Sequence, residues 1–220
     1  MKISAQTIKL LQNFSVINQG IVINPGNILR TCTPQRNILA EVEISETFEH
    51  TFGVYDLKKF LALLSMVKEP DVAIDETTIK VGDGKSSVSM RHTNTKLIVS
   101  PPDKKIVAPY FITFDLSEGD LKWIFNTSSI LGTNHVVFQG SGGNLSIESM
   151  DVTGKNVDSG SLFLGATEHN FRAVLLVERL KLLAGSYKVS ISNKGVVQFA
   201  NKSVNLKYWV SLEAEPSAFN

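Results

Sequence analysis

Cysteine is almost absent from these 220 residues: Cys32 stands alone. A lone cysteine forms no internal disulfide, so the fold rests on packing, and the composition fits a reducing compartment. Cys32 itself reads as a small buried strand residue, the usual fate of a free thiol. Long hydrophobic runs are missing too. No stretch approaches the ~20 apolar residues a membrane helix needs, and the Lys2-Ile3-Ser4 start shows no apolar signal core, so a cytoplasmic protein without membrane contact is expected. Charge of one sign is also lacking, with 22 basic against 21 acidic residues. With ordinary aliphatic content, that balance reads as a soluble globular protein.

Catalytic and metal signatures are equally scarce. His50, His92, His135 and His169 are scattered singly, with no Cys or carboxylate at ligand spacing, so neither a metal nor a cofactor is expected. Gly84-Lys85-Ser86 resembles the end of a phosphate loop, but Ile79 stands where that loop needs glycine, and a hairpin turn is the better reading. Gly140-Ser-Gly-Gly carries no dinucleotide fingerprint. Nothing brings together a nucleophile, a base and an orienting group, so no catalytic residue is assigned and a non-enzyme is expected.

What is present is a repeat. Residues 2–23 and 115–136 carry the same helix pattern 113 positions apart. Ile3-Ser4 matches Leu116-Ser117, Lys9 matches Lys122, Leu10-Leu11 matches Trp123-Ile124, Asn13 matches Asn126 and Ile17 matches Ile130. Each copy then turns to strand-like alternation. Second helices are expected at about 55–67 and 173–184, each leading into three short strands. Duplication at this period means two copies of one α+β domain, each with two amphipathic helices on antiparallel sheet. The expected division is 1–96, a proline-bearing connector at 97–109, and 110–220.

In the first copy, strands are expected at 21–24, 28–33, 38–45, 48–54, 72–76, 78–82 and 86–92. In the second they are expected at 135–140, 144–150, 160–166, 168–172, 187–192, 195–200 and 204–213. Ser4 and Ser117 sit where helix N-caps are wanted, and Asp56, Glu118 and Asp120 sit where acids suit the helix dipole. Helical spacing buries Ile3, Leu10, Leu11, Phe14 and Ile17 in helix one. In helix two it buries Leu57, Phe60, Leu61, Leu64 and Val67. It assigns Leu116, Trp123, Ile124, Ile130 and Leu131 to the core face of helix three, and Leu176, Leu180 and Leu183 to helix four. Trp123 and Trp209 both read as packing residues.

Charge is sorted by element. The four helix windows (2–18, 55–68, 117–132 and 172–184) hold nine basic and four acidic residues, and the rest of the chain holds 13 and 17. Two readings fit. Lysine is common on any exposed helix face; alternatively, the helices present a sequence-blind surface to phosphates.

Wording then narrows the choice. Met1-Lys-Ile-Ser, Leu10-Leu-Gln-Asn-Phe-Ser-Val-Ile-Asn, Val54-Tyr-Asp-Leu-Lys-Lys-Phe-Leu-Ala-Leu-Leu-Ser, Gly185-Ser-Tyr-Lys and Tyr208-Trp-Val-Ser-Leu-Glu-Ala-Glu resemble, in order and spacing, the sliding DNA clamp of T4-like bacteriophages. That resemblance implies the DNA-clamp fold and a polymerase processivity factor acting in an infected bacterial cell. It implies a closed head-to-tail homotrimer of six domains around duplex DNA, with the strand near 86–92 of one subunit pairing with that near 160–167 of the next. Lys2, Lys9, Lys58, Lys59, Lys122, Arg179 and Lys181 would face the DNA. The replicative polymerase and an ATP-driven clamp loader would dock near the connector and the chain's last residues, which points to Val107, Pro109, Glu213 and Phe219. The T4-like relatives suggest transcription factors as further partners. The competing reading is a virion structural protein, since duplicated β-rich domains also build symmetric shells. A single-strand binder is disfavoured because aromatics are not interleaved with basic residues on strands.

Overall fold

The computed structural model describes residues 1–102, 108–155 and 157–219. The chain forms two compact units, residues 1–104 with 204–206, and residues 105–203 with 207–220.

The first unit opens with α1 (Ala5–Ile17), started by Ser4, whose hydroxyl accepts from the Thr7 amide at 3.2 Å. A second acceptor reinforces this start. Glu46 takes the Ser4 amide and the Thr7 hydroxyl, the latter at 2.6 Å. Burial pushes the Glu46 carboxyl up, but those bonds outweigh it and hold the group below its usual value. Asn18 ends the helix, its side-chain amide donating to the Cys32 and Val99 carbonyls. Short strands β1 (Ile21–Ile23) and β4 (Phe52–Val54) pair with each other, and β2 (Gly26–Cys32) pairs with β3 (Ile38–Phe48). Helix α2 (Leu57–Ser65) begins at Asp56, which accepts from the Lys59 amide at 2.9 Å. It packs against α1, and α1 also rests on β2 and β3. A three-stranded meander closes the unit: β5 (Asp71–Ile74), β6 (Thr78–Gly82) and β7 (Ser87–Arg91). The turn at Gly84 is a hairpin, organised by Asp83 accepting the Lys85 and Ser86 amides. Gly53 is required by close approach: a Cβ there would lie 2.5 Å from the Thr93 carbonyl.

Helix one buries Thr7, Leu10, Leu11, Phe14 and Ile17, and helix two buries Leu57, Phe60, Leu61 and Leu64, the stripes their spacing predicts. Cys32 is buried on β2, and burial pushes its thiol up.

The second unit repeats the opening. Strand β8 (Ile112–Leu116), which sequence reading leaves out, leads to Ser117 and α3 (Glu118–Leu131). Ser117 and Asp120 form a reciprocal capping box, and Gly132 ends the helix in the left-handed region at φ +65°. One sheet runs β11 (Gly160–Ala166), β10 (Asn144–Met150), β9 (His135–Ser141), β12 (Phe171–Leu176) and β16 (Ala218–Phe219). Strands β8, β13 (Tyr187–Ser192), β14 (Val196–Asn201) and β15 (Leu206–Ser211) form a second antiparallel run, with β8 against β13.

Two expectations fail here. No fourth helix exists at 173–184. Residues 171–176 form β12, in which Ala173, Val174 and Leu175 pair with Phe138, Val137 and Val136 of β9. A six-residue apolar run is ambiguous between buried strand and buried helix, and the open edge of β9 decides it. Val177–Arg179 then make a single 3-10 turn. Two tyrosines anchor Leu183 beyond that turn: the Tyr208 hydroxyl accepts the Leu183 amide at 3.1 Å, and the Tyr187 hydroxyl donates to the Leu183 carbonyl. Burial pushes the Tyr187 phenol up to about 12.

The core face of α3 also differs. Leu121, Ile124 and Ser128 are buried, whereas Trp123 is 37% exposed and Ile130 81% exposed. The helix carries two apolar stripes. The sheet takes the one whose single polar member, Ser128, is satisfied by the Ile124 carbonyl and the Ser149 hydroxyl.

Candidate nucleic-acid and partner surfaces

The outer faces of α1 and α2 are basic without any acidic residue inside either helix. Lys9, Lys58 and Lys59 lie opposite the buried stripes, exposed, and form no ion pair with a described residue. Because α1 and α2 pack together, the three cations belong to one helical layer of the first unit. Free lysines on such a layer attract phosphates without reading bases, and salt screens that attraction.

The other basic residues singled out from sequence are held differently. Lys2 precedes α1 and pairs with Glu69 at 2.7 Å, an exposed contact that raises the lysine and lowers the acid. Lys122 is exposed on α3, with Glu118 one turn before it and Asp120 two residues before it at the same helix's start. Arg179 sits in the 3-10 turn, not on a helix, and its guanidinium meets the Glu213 carboxylate at 2.5 Å. Lys181 lies half-buried in the irregular segment beyond it and already has an interaction partner.

Among the partner-docking residues, Val107 lies outside the described residues. Pro109 is exposed, with Tyr110 beside it also exposed. Glu213 is tied to Arg179, and its amide donates to the Val174 carbonyl. Phe219 forms part of β16. It stacks on Phe171 with ring centroids 6.3 Å apart and meets Phe111 edge-on at 5.5 Å.

Sequence reasoning missed one surface. Trp123 and Ile130 on α3 are exposed, and Phe163 on β11 is 63% exposed. A Cβ at Gly160 would touch the Trp123 ring, which places that indole over the start of β11. This strand ends its sheet, with β10 on one side and no described neighbour on the other. β7 likewise ends the β5-β6-β7 sheet, and Val88 on it is exposed. The signal was available: Trp123 and Ile130 stand seven residues apart, off the Leu121-Ile124-Ser128 stripe.

Among the described residues, no group of three or more His, Cys, Asp or Glu side chains comes together. His135 and Asp151 approach to 3.9 Å inside the second unit, and Asp151 also accepts from the Thr153 amide and hydroxyl. No described helix is long and apolar enough to cross a membrane.

Comparison with known proteins agrees with this arrangement. The family described as DNA polymerase processivity factor matches residues 4–100. The sliding clamp of Vibrio phage KVP40 is 28% identical over 223 residues, covering 97% of this chain and all of the relative. That of Escherichia phage RB69 is 29% identical over 228 residues, covering 98% of both. Among solved structures, PCNA of A. fulgidus, determined with the C-terminal region of FEN-1 bound, superposes with a TM-score of 0.72 at 15% identity, over 94% of this chain and 95% of that one. A likeness at that identity speaks for the fold alone, the DNA-clamp fold; over nearly its whole length the chain is similar to the sliding clamps of these phages, and over residues 4–100 to DNA polymerase processivity factors.

Proposed function

We propose that three copies of this chain close head to tail into a ring that encircles duplex DNA and tethers the replicative polymerase in the infected host's cytoplasm. The observation that carries this reading is the acid-free layer of unpaired lysines, Lys9, Lys58 and Lys59, on α1 and α2. Lys122 supplies the equivalent position of the second unit. These four make weak, salt-sensitive contacts with phosphates, so the ring slides and topology retains it. Lys2, Arg179 and Lys181 are engaged elsewhere and contribute less.

Ring closure is supported by two sheet edges. β7 of one subunit adds to β11 of the next, and Trp123, Ile130 and Phe163 are covered in the process. Two different surfaces meeting this way form a heterologous interface, the kind that closes into a cycle. It also hides edges that otherwise invite aggregation. An ATP-driven clamp loader opens the ring, and polymerase, loader and transcription factors share the surface around Pro109, Glu213 and Phe219.

Retention on circular DNA tests the reading. Protein loaded on nicked circles should stay bound in high salt and be released when the circle is cut. Equal loss from circular and linear DNA would contradict encirclement and favour a virion structural role.

A further inference from the structure

A cleft of about 820 Å³ opens in the second unit beside the last turn of α3, within the size range of small-molecule sites. Phe125 and Leu176 give it an apolar wall, while Asn134, His135, Thr153 and Glu178 give it polar ones. No described lysine or arginine lines it. His135 is the unusual member. Its side chain is 8% exposed, and its Nδ1 has no hydrogen-bond partner among the described residues. The Asp151 carboxylate stands 3.9 Å from that nitrogen and accepts from the Thr153 amide and hydroxyl, which brings a second acceptor to the same wall. Burying a ring nitrogen without a partner is costly, so such an atom beside a cleft points to a ligand.

The charge around this cleft has one sign. Glu178 is exposed at its rim, Asp151 lies beside His135, and α3 ends next to it at Gly132, where the last carbonyls carry the negative end of the helix dipole. An anion is therefore repelled. A metal ion is not held either, since among the described residues no third His, Cys, Asp or Glu side chain joins the pair. With its ring proton on Nε2, His135 accepts at Nδ1. A donor nitrogen about 2.8 Å from both Nδ1 and the Asp151 oxygen fits between atoms 3.9 Å apart. We propose that this cleft binds a small aliphatic diamine or polyamine. One ammonium group donates to His135 and Asp151, the alkyl chain lies along Phe125 and Leu176, and the second ammonium group meets Glu178. The inference uses the second unit alone and stands apart from encirclement of DNA.

The test is isothermal titration calorimetry of the full-length protein, free of DNA, with 1,4-diaminobutane as the probe. 1,4-Butanediol keeps the length without the charge, and tetramethylammonium keeps a positive charge without N–H donors. Only the diamine should bind, at one site per chain. Glu178→Gln, on the exposed 3-10 turn, should weaken it about tenfold, the loss of one charge-assisted contact, and His135→Phe by at least as much. Because His135 is buried, circular dichroism checks the fold of that variant, and hydrogen exchange on the unaltered protein supplies a readout that needs no substitution. The diamine should slow amide exchange at residues 128–135 and 151–153. Absence of binding, equal affinity for tetramethylammonium, or slowed exchange confined to other residues would overturn the proposal. So would unchanged affinity in Glu178→Gln and folded His135→Phe, which would assign the heat to ordinary surface carboxylates.

Discussion

The two units share a scaffold and divide the surface chemistry between them. Both enter through a serine-capped helix, Ser4 before α1 and Ser117 before α3, and both follow it with antiparallel strands. The repeat partners Leu11 and Ile124 are both buried. Beyond that they diverge. The first unit has a second helix and three unpaired lysines; the second has a strand and a 3-10 turn in its place, with Arg179 locked to Glu213. Ile17 is 3% exposed, while its repeat partner Ile130 is 81% exposed. Caps and strand pairing are thus what duplication preserves here. The helix surfaces differ: α1 and α2 expose lysines, and α3 exposes Trp123 and Ile130.

The sharpest test of that division is the repeat pair itself. Ile17→Ala should cost about 2–5 kcal/mol in urea unfolding, as buried truncations do. Ile130→Ala should change fold stability by less than about 0.5 kcal/mol, yet weaken self-association. Equal costs would mean that the two helices pack alike. Next comes charge. Replacing Lys9, Lys58 and Lys59 together by glutamine should flatten the salt dependence of DNA binding about three times as much as Lys122→Gln, each lost phosphate contact removing about 0.9 from the slope. Equal slopes would break the assignment of phosphate attraction to the first unit.

Smaller effects probe the shared caps. Ser4→Ala and Ser117→Ala should each cost about 1 kcal/mol, read by chemical denaturation. They should differ in pH response. Ser4 shares its helix start with Glu46, whose folded carboxyl titrates below its unfolded value near 4.5. A depressed carboxyl stabilises fully above the unfolded value, and that contribution fades as pH falls through the folded one. The urea midpoint of Glu46→Gln should therefore lie below that of the unaltered protein at pH 7 and converge with it once the pH has fallen through the folded carboxyl's own value. A constant gap across that range would remove the ionised carboxylate from the account.

Much of this was legible in advance because it is local. Serine caps, the buried stripes of α1 and α2 and most strands follow from spacing within a dozen residues. Helix four failed because Phe171–Leu176 has no local preference strong enough to decide, and its partner β9 lies some thirty-five residues upstream. β16 was invisible for the same reason: two residues become a strand only because β12 has a free edge. The misplacement of Trp123 and Ile130 is more instructive. Apolar spacing identifies a stripe, but it does not say whether the chain's own sheet or another subunit covers it.

Solution mass measured by sedimentation equilibrium across a range of concentrations tests the central claim most directly. The ring predicts a species three times the 24.2 kDa chain mass that dissociates reversibly on dilution. It also predicts that Ile130→Asp shifts that equilibrium toward single chains without unfolding them. A strict monomer well above micromolar concentration would contradict encirclement, whatever the helices carry.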